Sequence, residues 1–70
     1  MFVRGEEIRA LREERGYTLQ ELARRANLSL SYLSEIERGS KQPSLRTIDK
    51  IARALNVSKH RLLRGDTARA

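Results

Sequence analysis

Cysteine and tryptophan are absent from this 70-residue chain, and it has a single proline, a single methionine and a single histidine. Without cysteine, neither a disulfide framework nor a thiolate metal site is available, which fits a reducing, cytoplasmic setting. Aromatic residues are scarce: Phe2, Tyr17 and Tyr32 are the full set. They suffice for one modest helical core but not for a buried substrate cavity. No long hydrophobic run exists either. The opening MFVRGEEIR has no apolar stretch of the kind a signal peptide needs, and no segment reads as a membrane span. The lone histidine, His60, has no carboxylate close in sequence, and neither a phosphate-binding loop nor a nucleophile motif appears. These absences argue against an enzyme and leave no expected cofactor or metal.

What is abundant is positive charge. Lys and Arg number 15 against 9 Asp and Glu, a net charge of +6, which suits nucleic acid or an anionic membrane surface. A membrane-surface helix would pair one basic face with one strongly apolar face carrying aromatic anchors. The first helical segment instead alternates Glu and Arg, a pattern of a salt-bridged solvent face.

Helical punctuation recurs along the chain. A first helix is expected from Gly5 to Arg15, with Ile8 and Leu11 inward and Gly16 as the stop. Thr18 caps a second helix and Glu21 completes a capping box. Leu19, Leu22, Ala23 and Ala26 follow at the spacing of a buried helical face. Asn27 turns the chain in a left-handed conformation. Ser29 caps a third helix that ends near Arg38, before Gly39. After the SKQPS loop, Ser44 caps a fourth helix whose apolar face reads Leu45, Ile48, Ile51, Ala52 and Leu55. Asn56 ends it, and Ser58 begins a short fifth helix through Leu63. An apolar residue before the cap and another four positions after it recur as Tyr17 with Leu22, Leu28 with Leu33, and Val57 with Leu62. This is the hydrophobic staple that sets the entry angle of each helix. The expectation is an all-α domain over residues 1–64, a compact five-helix bundle, with 65–70 as a frayed tail.

Helices two and three, joined by Ala26-Asn27-Leu28-Ser29, have the spacing of a helix-turn-helix, in which a bracing helix presents the next to a major groove. Small Ala23 allows close approach of the two. Spacing alone does not separate this unit from an αα-hairpin that binds nothing. The run GYTLQELARRANLSLSYLSEIERGSKQPSLRTIDKIARALNVS goes further: it resembles the phage repressor/Cro-type (xenobiotic-response-element) helix-turn-helix family of bacterial regulators. Its most specific pieces are ELA at 21–23, IERG at 36–39 and Pro43-Ser44-Leu45, and the likeness extends from Gly5 to Leu63. The resemblance implies a lambda-repressor-like five-helix bundle that binds double-stranded operator DNA, usually as a homodimer on a palindromic site. Transcriptional regulation, most simply repression, is the implied function. The same fold also serves antitoxins and protein-interaction modules, and Phe2, Leu62 and Leu63 suggest an apolar patch for a protein partner, a homodimer contact or plain core.

On a helical wheel of the third helix, Leu33 and Ile36 define the core side. Ser31 and Arg38 lie opposite, Ser34 and Glu35 point outward, Tyr32 sits on one flank and Glu37 on the other. Base-reading candidates are therefore Leu30, Ser31, Tyr32, Ser34 and Glu35. A carboxylate at Glu35 repels phosphates, yet in the major groove it can accept from the cytosine amino group; the plainer alternative is a solvated glutamate braced by Arg38. Phosphate contacts are expected from Thr18, Leu19 and Gln20 at the start of helix two, from Ser29, and from Arg38, Lys41 and Gln42. Many family members carry glutamine where this chain has Leu19, so that contact passes to Gln20 if to any residue. Arg24, Arg25, Arg46 and Lys50 would add long-range attraction. Glu37 is expected to enter the seam against helix one and meet Arg12 as a structural ion pair, a pairing that the resemblance supports.

Overall fold

The computed structural model describes residues 3–63, which form five α-helices and, among those residues, no strand: α1 (Gly5–Glu14), α2 (Leu19–Arg25), α3 (Leu30–Arg38), α4 (Leu45–Leu55) and α5 (Lys59–Leu63). The expected tail at 65–70 and the aromatic Phe2 lie outside the described residues. No described helix is long and apolar enough to cross a membrane.

Three of the four connections are built alike. Each helix stops at a left-handed residue: Gly16 at φ 77°, Asn27 at 58° and Asn56 at 60°. The next residue is apolar and its N–H reaches back five positions, Tyr17 to the Arg12 carbonyl (3.1 Å), Leu28 to Ala23 (2.8 Å) and Val57 to Ala52 (3.0 Å). These are Schellman closures, which satisfy carbonyls that the helix end would leave bare. A capping residue follows at once. Thr18 accepts the Glu21 N–H at 3.0 Å and Ser29 accepts that of Tyr32 at 3.1 Å. Ser58 accepts the His60 N–H at 3.2 Å. The apolar residue between stop and start is half-buried against the core in all three cases, so it closes one helix and staples the next. This is why the connections are short and the helices cross at fixed angles.

α3 packs on α1 and α2, while α4 packs on α2 and α5. The shared core is aliphatic, with Ile8, Leu22, Leu33, Ile48, Ile51, Leu55 and Leu62 fully buried. Leu62 is therefore core rather than part of an exposed patch, and Leu63 is half-buried against it. One position on the fourth apolar stripe departs from expectation. Leu45 is 59% exposed and Thr47 is buried in its stead. Leu45 is the first residue of α4, and helical side chains lean toward the N-terminus, so it overhangs the end of the core. Thr47 is accommodated because its N–H donates to Ser44 Oγ at 3.2 Å and its hydroxyl oxygen accepts from Ser44 at 3.1 Å.

Two further contacts bind distant parts of the chain. Arg15 donates from Nε to the Leu55 carbonyl at 2.7 Å, capping the end of α4. Gly5, buried at the start of α1, lies against α3 so closely that a Cβ there would fall on the carbonyl oxygens of Ile36 and Glu37.

Candidate nucleic-acid interface

α2 packs on α3, with Ala23 and Leu33 both buried in the common core, and the outer face of α3 is left uncovered. Leu30, Ser31 and Arg38 are exposed there, and Ser34 and Glu35 are half-buried on the same side. Tyr32 behaves differently, since its ring is half-buried against the core and reaches the surface only from the flank. The face is thus narrow, polar and nearly uncharged, with one carboxylate and a terminal arginine.

The residues expected to meet phosphates are not equally free. At the start of α2 the capping box is complete: the Thr18 N–H donates to Glu21 Oε1 at 2.9 Å while Thr18 Oγ1 accepts the Glu21 N–H at 3.0 Å. That backbone hydrogen bond is the chief cause holding the Glu21 carboxyl below its ordinary range, with smaller attractions from Arg25 and Arg24. A negative charge therefore already sits beside this helix end. The Thr18 side chain is also hydrogen-bonded with the Glu21 carboxylate, and Leu19 offers only its backbone N–H because its side chain packs on the core. Gln20 is exposed, with no hydrogen-bonded partner among the described residues. Ser29 likewise has its oxygen occupied as acceptor, and its proton is available.

Gln42 departs from expectation. Its Oε1 accepts the Val3 N–H at 2.9 Å and its Nε2 donates to the Val3 carbonyl at 3.0 Å. The carboxamide thereby ties the chain before α1 to the loop after α3, and the second Nε2 proton of this exposed residue is what it can still offer a phosphate. Glu35 also has a different neighbour from the one helical spacing suggests. Lys41 Nζ, not Arg38, approaches its carboxylate, at 3.6 Å. The cause is the αL turn at Gly39, φ 84°, which folds the loop back over the last turn of α3. Arg38 is left without a hydrogen-bond or salt-bridge partner among the described residues.

Beneath this face, Arg12 of α1 meets Glu37 of α3. Arg12 Nε lies 2.8 Å from Oε2 and Nη2 3.1 Å from Oε1, a parallel two-bond arrangement. The remaining Nη1 donates to the Tyr17 carbonyl at 2.9 Å. The side chains are 13% and 7% exposed. The hydrogen bonds to Glu37 raise the Arg12 pKa further despite partial burial, which opposes them, so the guanidinium stays charged throughout. The pair fixes α3 on α1 and links both to the turn before α2.

A helix-turn-helix family model matches residues 8–62 of the chain. The chain belongs to the phage repressor/Cro-type helix-turn-helix family. Among this family, the transcriptional regulator DdrOP3 of Deinococcus deserti is 43% identical over 60 residues, covering 86% of this chain and 46% of that protein. The immunity repressor protein of Bacillus phage phi105 is 49% identical over 53 residues, 76% of this chain and 37% of the repressor. The chain thus spans about half, or less, of the length of these curated relatives. A crystal structure of SinR, the master regulator for biofilm formation, in complex with DNA superposes with a TM-score of 0.81 at 45% identity, over 84% of this chain and 95% of that one.

Among the contacts that the sequence did not reveal are the Gln42–Val3 latch, the Lys41–Glu35 pair, and Arg25 stacked 4.4 Å from the Tyr17 ring centre. The first two depend on how the loop folds. The third has a weak signal, since eight positions place Arg25 about two turns on from Tyr17, beyond the side-chain neighbours that helical spacing predicts.

Proposed function

We propose that the chain is a sequence-specific DNA-binding transcriptional regulator, a repressor acting in the cytoplasm, that reads the major groove with α3 and binds a palindromic operator as a homodimer. The observation that carries this reading is the uncovered outer face of α3, with exposed Leu30, Ser31 and Arg38 beside Ser34 and Glu35. It stands on a buried Arg12–Glu37 pair that holds the helix rigidly. The family membership and the likeness to a chain solved with DNA support it.

On this reading Ser31 and Ser34 are permissive hydrogen-bonding readers, Leu30 meets a thymine methyl, Tyr32 touches from the flank, and Glu35 accepts from a cytosine amino group. Arg38, Lys41, the Ser29 hydroxyl, and the free N–H groups of Leu19 and Gln20 hold phosphates and set the register. Selection of binding sites from random duplex DNA, followed by affinity measurements on the winner, tests the proposal. A palindromic consensus whose affinity falls steeply with salt is the expected result. Recovery of no enriched sequence, with no duplex bound at low salt, overturns it.

A further inference from the structure

The loop that follows α3 is folded onto one residue of that helix. The Glu35 carbonyl accepts the Ser40 N–H at 3.0 Å, the Ser40 hydroxyl at 3.1 Å and the Lys41 N–H at 3.3 Å. The backbone of Lys41 is therefore anchored to Glu35, and its ammonium group comes to the same residue's carboxylate at 3.6 Å. Main chain and side chain converge on the one acidic group of the reading face.

We infer that the Glu35–Lys41 pair is a specificity element, in which Lys41 shields the carboxylate during loose contacts and releases it where a phosphate and a cytosine amino group are presented together. The inference rests on the DNA-reading role proposed above. An exposed ion pair of this length is weak, and a phosphate, whose neutralisation also releases condensed counterions, competes effectively for the lysine. Once Lys41 has moved, Glu35 is an unshielded anion beside a polyanion. Within the major groove the cytosine amino group is its matching donor. Where that donor is present, both exchanges are favourable: lysine to phosphate, carboxylate to base. At sites without it, the better arrangement keeps Lys41 on Glu35 and forgoes one phosphate contact. Specific binding thus engages one more cation than non-specific binding.

The test uses the chain with Glu35→Gln, Lys41→Met and both together, each first checked for an unchanged helical melting transition. Affinities are read by fluorescence anisotropy on a selected operator duplex and on a scrambled duplex, over a salt series. In the wild type the log–log salt slope on the operator should exceed that on the scrambled duplex by about 0.9, one phosphate's worth. Glu35→Gln should steepen the scrambled slope by a similar amount and compress the operator preference by about 5- to 100-fold, the range of one base contact. Lys41→Met alone should abolish the difference between the two slopes, whereas in the Glu35→Gln background it should flatten both. If Glu35→Gln shifts both duplexes equally and leaves the operator preference intact, the coupling is overturned. A wild-type chain that binds no duplex overturns instead the DNA-reading role itself, before any variant is compared.

Discussion

Glu35 and Glu37 are two positions apart on one helix, yet the residues around them give their charges opposite consequences. Glu37 lies in the seam, doubly bonded to an arginine whose third contact is the Tyr17 carbonyl. Removing it leaves a guanidinium of low exposure without its counter-charge, and breaking a buried pair from one side is far more costly than the pair is worth. Glu35 pairs with Lys41 at the surface, where solvent screens the interaction. Glu37→Ala should therefore lower unfolding stability by about 2–4 kcal/mol, and Glu35→Ala by less than about 1 kcal/mol. Urea titrations of the two variants against wild type measure the difference. Equal and small losses would mean that Arg12 finds water or another acceptor as readily as Glu37, and that the seam is not a closed site.

At the scale of elements, the repeated connector makes its own prediction. Asn27 occupies the left-handed position between α2 and α3 at φ 58°, where a Cβ-bearing residue without a short polar side chain is disfavoured by about 1–2 kcal/mol. Asn27→Gly should leave stability nearly unchanged, whereas Asn27→Ala should lose about 1 kcal/mol, and thermal melts distinguish them. These connectors and their caps were legible in the sequence because each is a local event: stop, staple and cap fall within a few residues. The exposed side of α3 was legible for a related reason, since Leu33 and Ile36 fix its rotation and every other position follows from the helical period. What could not be read were contacts between segments remote in sequence. Gly5 stood only as the first residue of the expected helix, yet its missing side chain is what admits the backbone of α3. Gln42 looked like a free polar loop residue, yet its carboxamide is paired with Val3, 39 positions away. Glu35 was matched to Arg38 by helical spacing, but the helix ends at Gly39 and the returning loop delivers Lys41 instead. Leu45 shows the remaining limit: periodicity states which side of a helix is apolar but not where along the helix the core stops.

For the whole molecule, the net charge of +6 is distributed by what the carboxylates take. Arg9 pairs with Glu13, Arg12 with Glu37, Lys41 with Glu35, Arg53 with Asp49 and Arg61 with Glu7. Arg15 caps α4 and Arg25 lies over Tyr17. Arg24, at the end of α2, and Arg38, at the end of α3, have no hydrogen-bond or salt-bridge partner among the described residues, as is true of Arg46 and Lys50 on α4 and Lys59 on α5. Two accounts of the charge then differ in a measurable way. If the cations act where they touch phosphate, those flanking the outer face of α3 should matter most, because screening limits a surface charge to about 8 Å at physiological salt. Neutralising Arg38 and Lys41, the two cations assigned to phosphate, together to glutamine should lower the salt slope of operator binding by about 1.8, or 0.9 for each lost phosphate contact. The matching change at Lys59 and Arg61 on α5, whose main packing partner is α4, removes the same charge and should leave the slope unchanged. If instead the two double variants lose affinity and slope alike, the positive charge works as a diffuse field over the molecule, and the outer face of α3 has no privileged place in it.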